Sequence, residues 1–168
     1  MDNDINLLRR CIEDRSPILL LGAGFSLGAK GRNGQELMLG SSLTQKLYEK
    51  IIIPNKDLLP EEALDTASLA IKWGNLFAIC NVIRENNLTT QRDTLFQKWM
   101  SECTYNDAPY FSNLIKVDWK YIFTLNIDDL VEHIFKNEGH PLLCWKLSSE
   151  RYTDDPDKTV LIKLHGDV

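Results

Sequence analysis

Apolar residues recur along this chain at helical spacing or gather into short unbroken runs. Ile5, Leu8 and Ile12 fall on one helical face with Leu7 and Cys11 beside them. They predict a helix over Asn3–Asp14 that Asp2 or Asn3 can cap. After Arg15-Ser16 the run Pro17-Ile18-Leu19-Leu20-Leu21 predicts a short buried strand. Lys120-Tyr121-Ile122-Phe123-Thr124-Leu125 and Thr159-Val160-Leu161-Ile162-Lys163-Leu164 predict two more strands, and Pro141–Leu147 can form another. A helix follows Asp128-Asp129 to about Asn137, with Gly139 as the residue just past its end.

The long stretch between the first two strands reads differently. Gly28, Gly31, Gly34 and Gly40 interrupt Leu27–Gly40, which predicts a long flexible loop. Ser41 or Ser42 then caps a helix to about Ile53, ended by Pro54. Residues 60–87 are helical with a break at Gly74. Thr89 or Thr90 caps a helix to about Cys103, and Pro109–Val117 is a further short helix. Trp73, Phe77 and Trp99 are expected in the core. An ordinary dinucleotide-binding crossover places one helix between its first two strands. Here a helical insertion over about 41–117 stands in that position.

Composition narrows the class. The chain has 168 residues and a formal net charge of -5, enough length for one domain with a core and the wrong charge for a general binder of nucleic-acid backbones. No apolar run reaches the length of a membrane span. The acidic start Met1-Asp2-Asn3-Asp4 lacks the basic-then-apolar layout of a signal peptide, so a cytoplasmic protein without a membrane partner is expected. Cys11, Cys80, Cys103 and Cys144 are scattered without a C-x-x-C pair. They read as reduced, mostly buried thiols, and no metal is expected.

Chemistry gathers where the apolar runs end. The first runs into Gly22-Ala23-Gly24-Phe25-Ser26, the second into Asn126-Ile127-Asp128 and the last into His165-Gly166-Asp167. Gly22 and Gly24 lack the Cβ that keeps a ligand off the backbone, and they are expected to supply unusual φ angles in a tight turn. In a parallel sheet such ends share one edge, where ligands bind. Plainer roles exist for the same residues. Asn126 can simply cap the following helix, Asp128 can complement its dipole, and His165 can be structural. His133 and His140 read as solvated or structural. Ser26, Asp128 and His165 can be drawn as a hydrolase triad, but the G-x-S-x-G elbow is missing.

In these three stretches the chain resembles the sirtuin family. GAGFS is similar to the sirtuin GAG-x-S turn, TLNID to T-Q-N-I-D with Leu125 in place of Gln, and KLHGD to the histidine-glycine motif. The likeness is greatest to divergent bacterial sirtuin-like domains, many of which hydrolyse NAD in antiphage defence. It implies an α/β fold: a parallel-sheet, Rossmann-like nucleotide-binding domain of sirtuin type, with the helical insertion after the glycine turn. Residues 1–168 would be the N-terminal part of one such domain, its C-terminal half missing, and the chain a fragment of a longer protein. The resemblance implies NAD as substrate, lying against Gly22, Ala23, Gly24, Phe25 and Ser26 and against Asn126, Asp128 and Gly166. His165 would be the catalytic histidine, with Asn126 orienting ribose hydroxyls or a water. A homo-oligomer, further domains or partner subunits would accompany it. The deacylase pattern G-I-P-D-F-R is absent after the turn. The expected function is therefore NAD hydrolysis by the full-length protein, with a non-catalytic NAD or ADP-ribose sensing module and an NAD-dependent protein deacylase as alternatives.

Overall fold

A computed structural model of the chain describes residues 2–14, 17–106, 108–146, 155 and 158–164. Helix α1 (Asp2–Glu13) leads into strand β1 (Ile18–Leu21), and a 3-10 turn (Ala23–Ser26) follows at once. Helices α2 (Gly40–Leu47), α3 (Glu61–Trp73), α4 (Leu76–Glu85), α5 (Thr89–Met100) and α6 (Pro109–Leu114) come next. Then follow β2 (Tyr121–Thr124), α7 (Leu130–Asn137), β3 (Leu142–Lys146) and β4 (Thr159–Lys163). The four strands form one sheet in the order β1-β2-β4-β3, every pair parallel. The fold is thus α/β, and its all-parallel sheet is compatible with a Rossmann-like arrangement.

That order puts the three strands that end in polar residues side by side. Leu21 pairs with Thr124 and Thr124 with Lys163, so these residues form one row across the sheet. The backbone carries the row onward: the Leu125 amide donates to Leu21 O at 3.1 Å, and the Leu164 amide to Thr124 O at 2.9 Å. Leu21, Ile122, Thr124, Leu161 and Lys163 share the buried face. The opposite face is less covered toward β1. Ile18 and Leu20 are 62% and 64% exposed, whereas Val160 and Ile162 on central β4 are buried. The expectation of a buried first strand is corrected accordingly: among the described residues β1 stands at the sheet edge, and only one of its faces is inside.

Between β1 and β2 every named element is helical, as the apolar spacing predicts. Gly74 closes α3 in the left-handed conformation (φ 60°). Asn75 then caps α4 by accepting from the Ala78 amide at 3.0 Å. Gly139 follows the end of α7 with φ 71°, as predicted, but two predicted N-caps fail. The helix starts at Gly40 after Leu39, not at Ser41 or Ser42, and Leu88 rather than Thr89 or Thr90 flanks α5. Pro54 does not end the helical path. A π-helical turn (Tyr48–Ile52) and a 3-10 segment (Ile53–Leu58) continue it, with Pro54 in the first turn, where a missing N–H matters least.

Two further expectations are corrected. Trp73 and Phe77 are each 74% exposed, and only Trp99 of the three aromatics is buried. Helices α3 and α4 reach the core through Ala63, Ala67, Ala70, Ile79, Val82 and Ile83, which turns Trp73 and Phe77 outward. The glycine-rich stretch 27–40 is irregular but tied down rather than a free loop. Lys30 exchanges two backbone hydrogen bonds with Thr104, each 2.8 Å, and the Leu37 amide donates to Ala29 O at 2.9 Å. Ala29 and Leu37 are buried, and Gly31 lies against the Trp99 carbonyl.

Candidate functional site

The end of β1 delivers three small residues to the sheet edge. Gly22 is extended (φ -113°, ψ 179°), and Gly24 lies within the right-handed 3-10 turn. Neither uses a left-handed φ, contrary to the sequence expectation; Gly28 (φ 82°) and Gly34 (φ 71°), further along, do. A Cβ built on Gly22 or Gly24 meets nothing within 4 Å. The bare backbone therefore faces open space rather than a neighbouring element. The Phe25 ring turns elsewhere, packing edge-on to Phe111 (centroids 5.6 Å apart) and Tyr110 (6.3 Å).

Ser26 ends the turn and meets the end of β2. The Asn126 side-chain amide donates to Ser26 Oγ at 2.8 Å and to Gly22 O at 3.2 Å. Ser26 Oγ in turn donates to Asp128 Oδ2 at 2.9 Å. The Gly22 carbonyl can only accept, so it selects the NH₂ end of Asn126; that amide makes Ser26 Oγ an acceptor, whose own proton goes to Asp128. The Thr124 hydroxyl accepts from the Asn126 backbone amide at 3.0 Å and pins the turn to the strand. All three side chains are buried, at 5%, 9% and 8% exposure for Ser26, Asn126 and Asp128. The plainer role also holds in part for Asp128: its Oδ1 accepts from the Leu130 amide at 3.2 Å at the start of α7. Burial pushes the Asp128 carboxyl above the usual carboxylate range. The Ser26 hydroxyl, the Leu130 amide and Lys163 pull it back down. A hydrolase triad would need Ser26 to donate to a histidine; here its proton goes to Asp128.

The Asn126–Asp129 turn is held from two more sides. Asp129 accepts from the Glu102 amide (2.7 Å) and the Cys103 amide (2.9 Å), while its own amide donates to Met100 O at 3.3 Å. This ties the turn to the end of α5. From β4, the Lys163 ammonium donates to Asp128 O (2.7 Å), Ile127 O (3.3 Å) and Glu132 Oε1 (3.0 Å). Lys163 is fully buried. Sequence reasoning passed over it, yet a signal was present: a lysine inside the run Val160-Leu161-Ile162-Lys163-Leu164 must find partners when its strand is central.

Ala23, Ser26, Asn126 and Asp128 form one wall of a cavity of about 550 Å³. Met38 of the glycine-rich stretch and Leu76, Phe77, Cys80, Arg92 and Phe96 of the helical insertion make the other. An apolar cavity with a few convergent polar groups is the usual form of a small-molecule site. Phe77, predicted as core, is a wall residue. Arg92 also escaped the sequence reading. It holds Asp93 Oδ1 through Nε (2.9 Å) and Nη2 (2.7 Å) and sits 5.8 Å from the Phe96 ring centroid. Burial raises the Cys80 thiol pKa.

His165 and Gly166 lie outside the described residues. Leu164, just before them, is hydrogen-bonded to the end of β2. His133 pairs with Asp129 at 3.4 Å on α7 and His140 is exposed against Phe135, so neither joins the Ser26–Asn126–Asp128 cluster. Among the described residues no group of three or more His, Cys, Asp or Glu side chains is arranged to hold a metal ion. None of their helices is long and apolar enough to cross a membrane. No protein-family model and no curated protein matches this chain.

Proposed function

We propose that this chain is the catalytic part of a sirtuin-like NAD hydrolase that breaks the bond between nicotinamide and ribose. The observation that carries the reading is the Ser26–Asn126–Asp128 relay at the joined ends of β1 and β2, opening on a cavity of about 550 Å³. These are the residues that the likeness of GAGFS and TLNID to sirtuin motifs assigns to NAD. Gly22 and Gly24 fit a pyrophosphate in particular, because no protein atom explains their missing side chains.

The chemistry follows from the charge that develops. As the C1′–N bond lengthens, its electron pair leaves with nicotinamide and the ribose becomes cationic. The ionised Asp128 carboxylate stabilises positive charge nearby and can accept from the nicotinamide amide. Asn126, held by Gly22 and Ser26, orients a ribose hydroxyl or the attacking water without rearranging during the reaction. The water oxygen bonds to C1′, and its proton passes to a neutral histidine, for which His165 is the candidate. The products are nicotinamide and ADP-ribose. In a bacterial cell such a domain depletes NAD, the role of the defence proteins that it resembles.

The test is product analysis of purified protein with NAD. Free ADP-ribose with nicotinamide supports the hydrolase. NAD bound but unchanged supports the sensing module. Acyl-ADP-ribose formed only with an acylated peptide supports the deacylase.

A further inference from the structure

The ammonium of Lys163 reaches from the end of β4 into the turn that carries Asn126 and Asp128. It donates to two consecutive backbone carbonyls, Ile127 O and Asp128 O, and to Glu132 on α7. Burying an ammonium costs far more than burying a methyl group unless each proton is matched by an acceptor. An apolar residue would satisfy the packing of a central strand more cheaply. The position instead carries a cation whose protons gather the carbonyls of the β2–α7 turn. Those carbonyls belong to the peptide groups on either side of Asp128, so their orientation sets where its side chain leaves the backbone. Lys163 also stands opposite Thr124, whose hydroxyl pins the Asn126 amide.

We propose that Lys163 is a positioning residue: by gripping the carbonyls of Ile127 and Asp128 it holds the turn in the shape in which Asn126 and Asp128 meet Ser26. Lys163 does not touch substrate and acts through those two side chains. It joins the strand that leads to His165 to the turn that bears the other polar groups. The role in NAD turnover rests on the function proposed above; the grip itself does not.

The experiment compares wild type with Lys163→Met, which keeps the length and loses the charge, and Lys163→Gln, whose amide still donates to one carbonyl. Each receives a thermal melt, an NAD titration and an NMR titration of the Asp128 carboxyl carbon. The charged groups acting on Asp128 are Lys163, which favours its ionised form, and Asp129, which opposes it. Loss of the ammonium is expected to move the Asp128 titration upward in both variants. NAD affinity should fall by about tenfold to a hundredfold in Lys163→Met, the worth of a charge-assisted hydrogen bond to a buried acceptor, and less in Lys163→Gln. Folded variants that bind NAD like wild type with an unmoved Asp128 titration would overturn the proposal. If neither variant folds, the wild-type ammonium decides: slowly exchanging protons support the grip, and freely exchanging ones overturn it. A wild type that binds no NAD defeats the NAD reading alone, since the Asp128 titration still judges Lys163.

Discussion

Ser26 and Asp128 stand 102 positions apart in the chain, and the hydroxyl of one donates to the carboxylate of the other at 2.9 Å. The contact exists because β1 and β2 are parallel neighbours in register, Leu21 beside Thr124, so both chains leave the sheet at one level. Ser26 is also the acceptor for Asn126, which makes it the hub of the cluster.

Ser26→Ala therefore strands two buried groups at once. Stability should fall by about 1–3 kcal/mol, the usual cost of leaving a buried partner unsatisfied. NAD binding should weaken with it. A denaturant melt and an NAD titration check both. A variant as stable as wild type would mean that water replaces the hydroxyl.

The glycines separate ligand approach from packing. Gly24→Ala places a methyl in open space, so the fold should hold or gain about 0.4–1 kcal/mol. NAD affinity should fall by about tenfold, roughly 1.4 kcal/mol. Gly31→Ala drives its methyl into the Trp99 carbonyl and should cost about 1–3 kcal/mol of stability. Melting curves and NAD titrations of the two variants should show these opposite patterns.

The sheet was legible because its strands are apolar runs that end in abrupt polar clusters, and the insertion because Ala67, Ile79 and Ile83 keep helical spacing. The convergence of Ser26, Asn126 and Asp128 was legible as well, since a parallel sheet forces its strand ends together. The burial of β1 was not: edge or centre is decided by strand order, which Ile18 and Leu20 cannot encode locally. Phe77 misled because an aromatic residue looks alike in a core and on a cavity wall, and Trp73 because its spacing does not show that the end of α3 turns it outward. Lys163 and the ties of Asp129 to Glu102 and Cys103 were missed because their backbone partners are distant in sequence.

Asp128 gives the pH dependence. Burial raises its folded-state pKa above the unfolded value. Between the two values the folded protein holds a proton that the unfolded chain has released, so stability is lost as pH rises through that window. Asp128→Asn escapes this loss. Its melting temperature relative to wild type should climb with pH across the window and stay level below it, while NAD turnover disappears. Melts at a series of pH values from the ordinary carboxylate range upward provide the check.

Asp129 links the site turn to the insertion. Asp129→Ala removes the acceptor for the Glu102 and Cys103 amides, and Glu102 sits at a φ of 51° that a non-glycine residue rarely holds unaided. The expected loss is about 1–3 kcal/mol, with Asp129→Asn recovering part of it. His133→Ala removes only the 3.4 Å pair with Asp129 and should change stability by less than about 1 kcal/mol. Thermal melts of the three variants rank these contributions.

Nicotinamide release from NAD is the most direct measure of the proposed hydrolysis, made on the purified full-length protein as wild type, Asn126→Ala, His165→Ala and His133→Ala with a melt for each. Wild type and His133→Ala should release nicotinamide. His165→Ala should lose about 10²–10⁴-fold and folded Asn126→Ala most of its turnover. A folded wild type that leaves NAD intact, or a folded Asn126→Ala that releases nicotinamide at the wild-type rate, would contradict it.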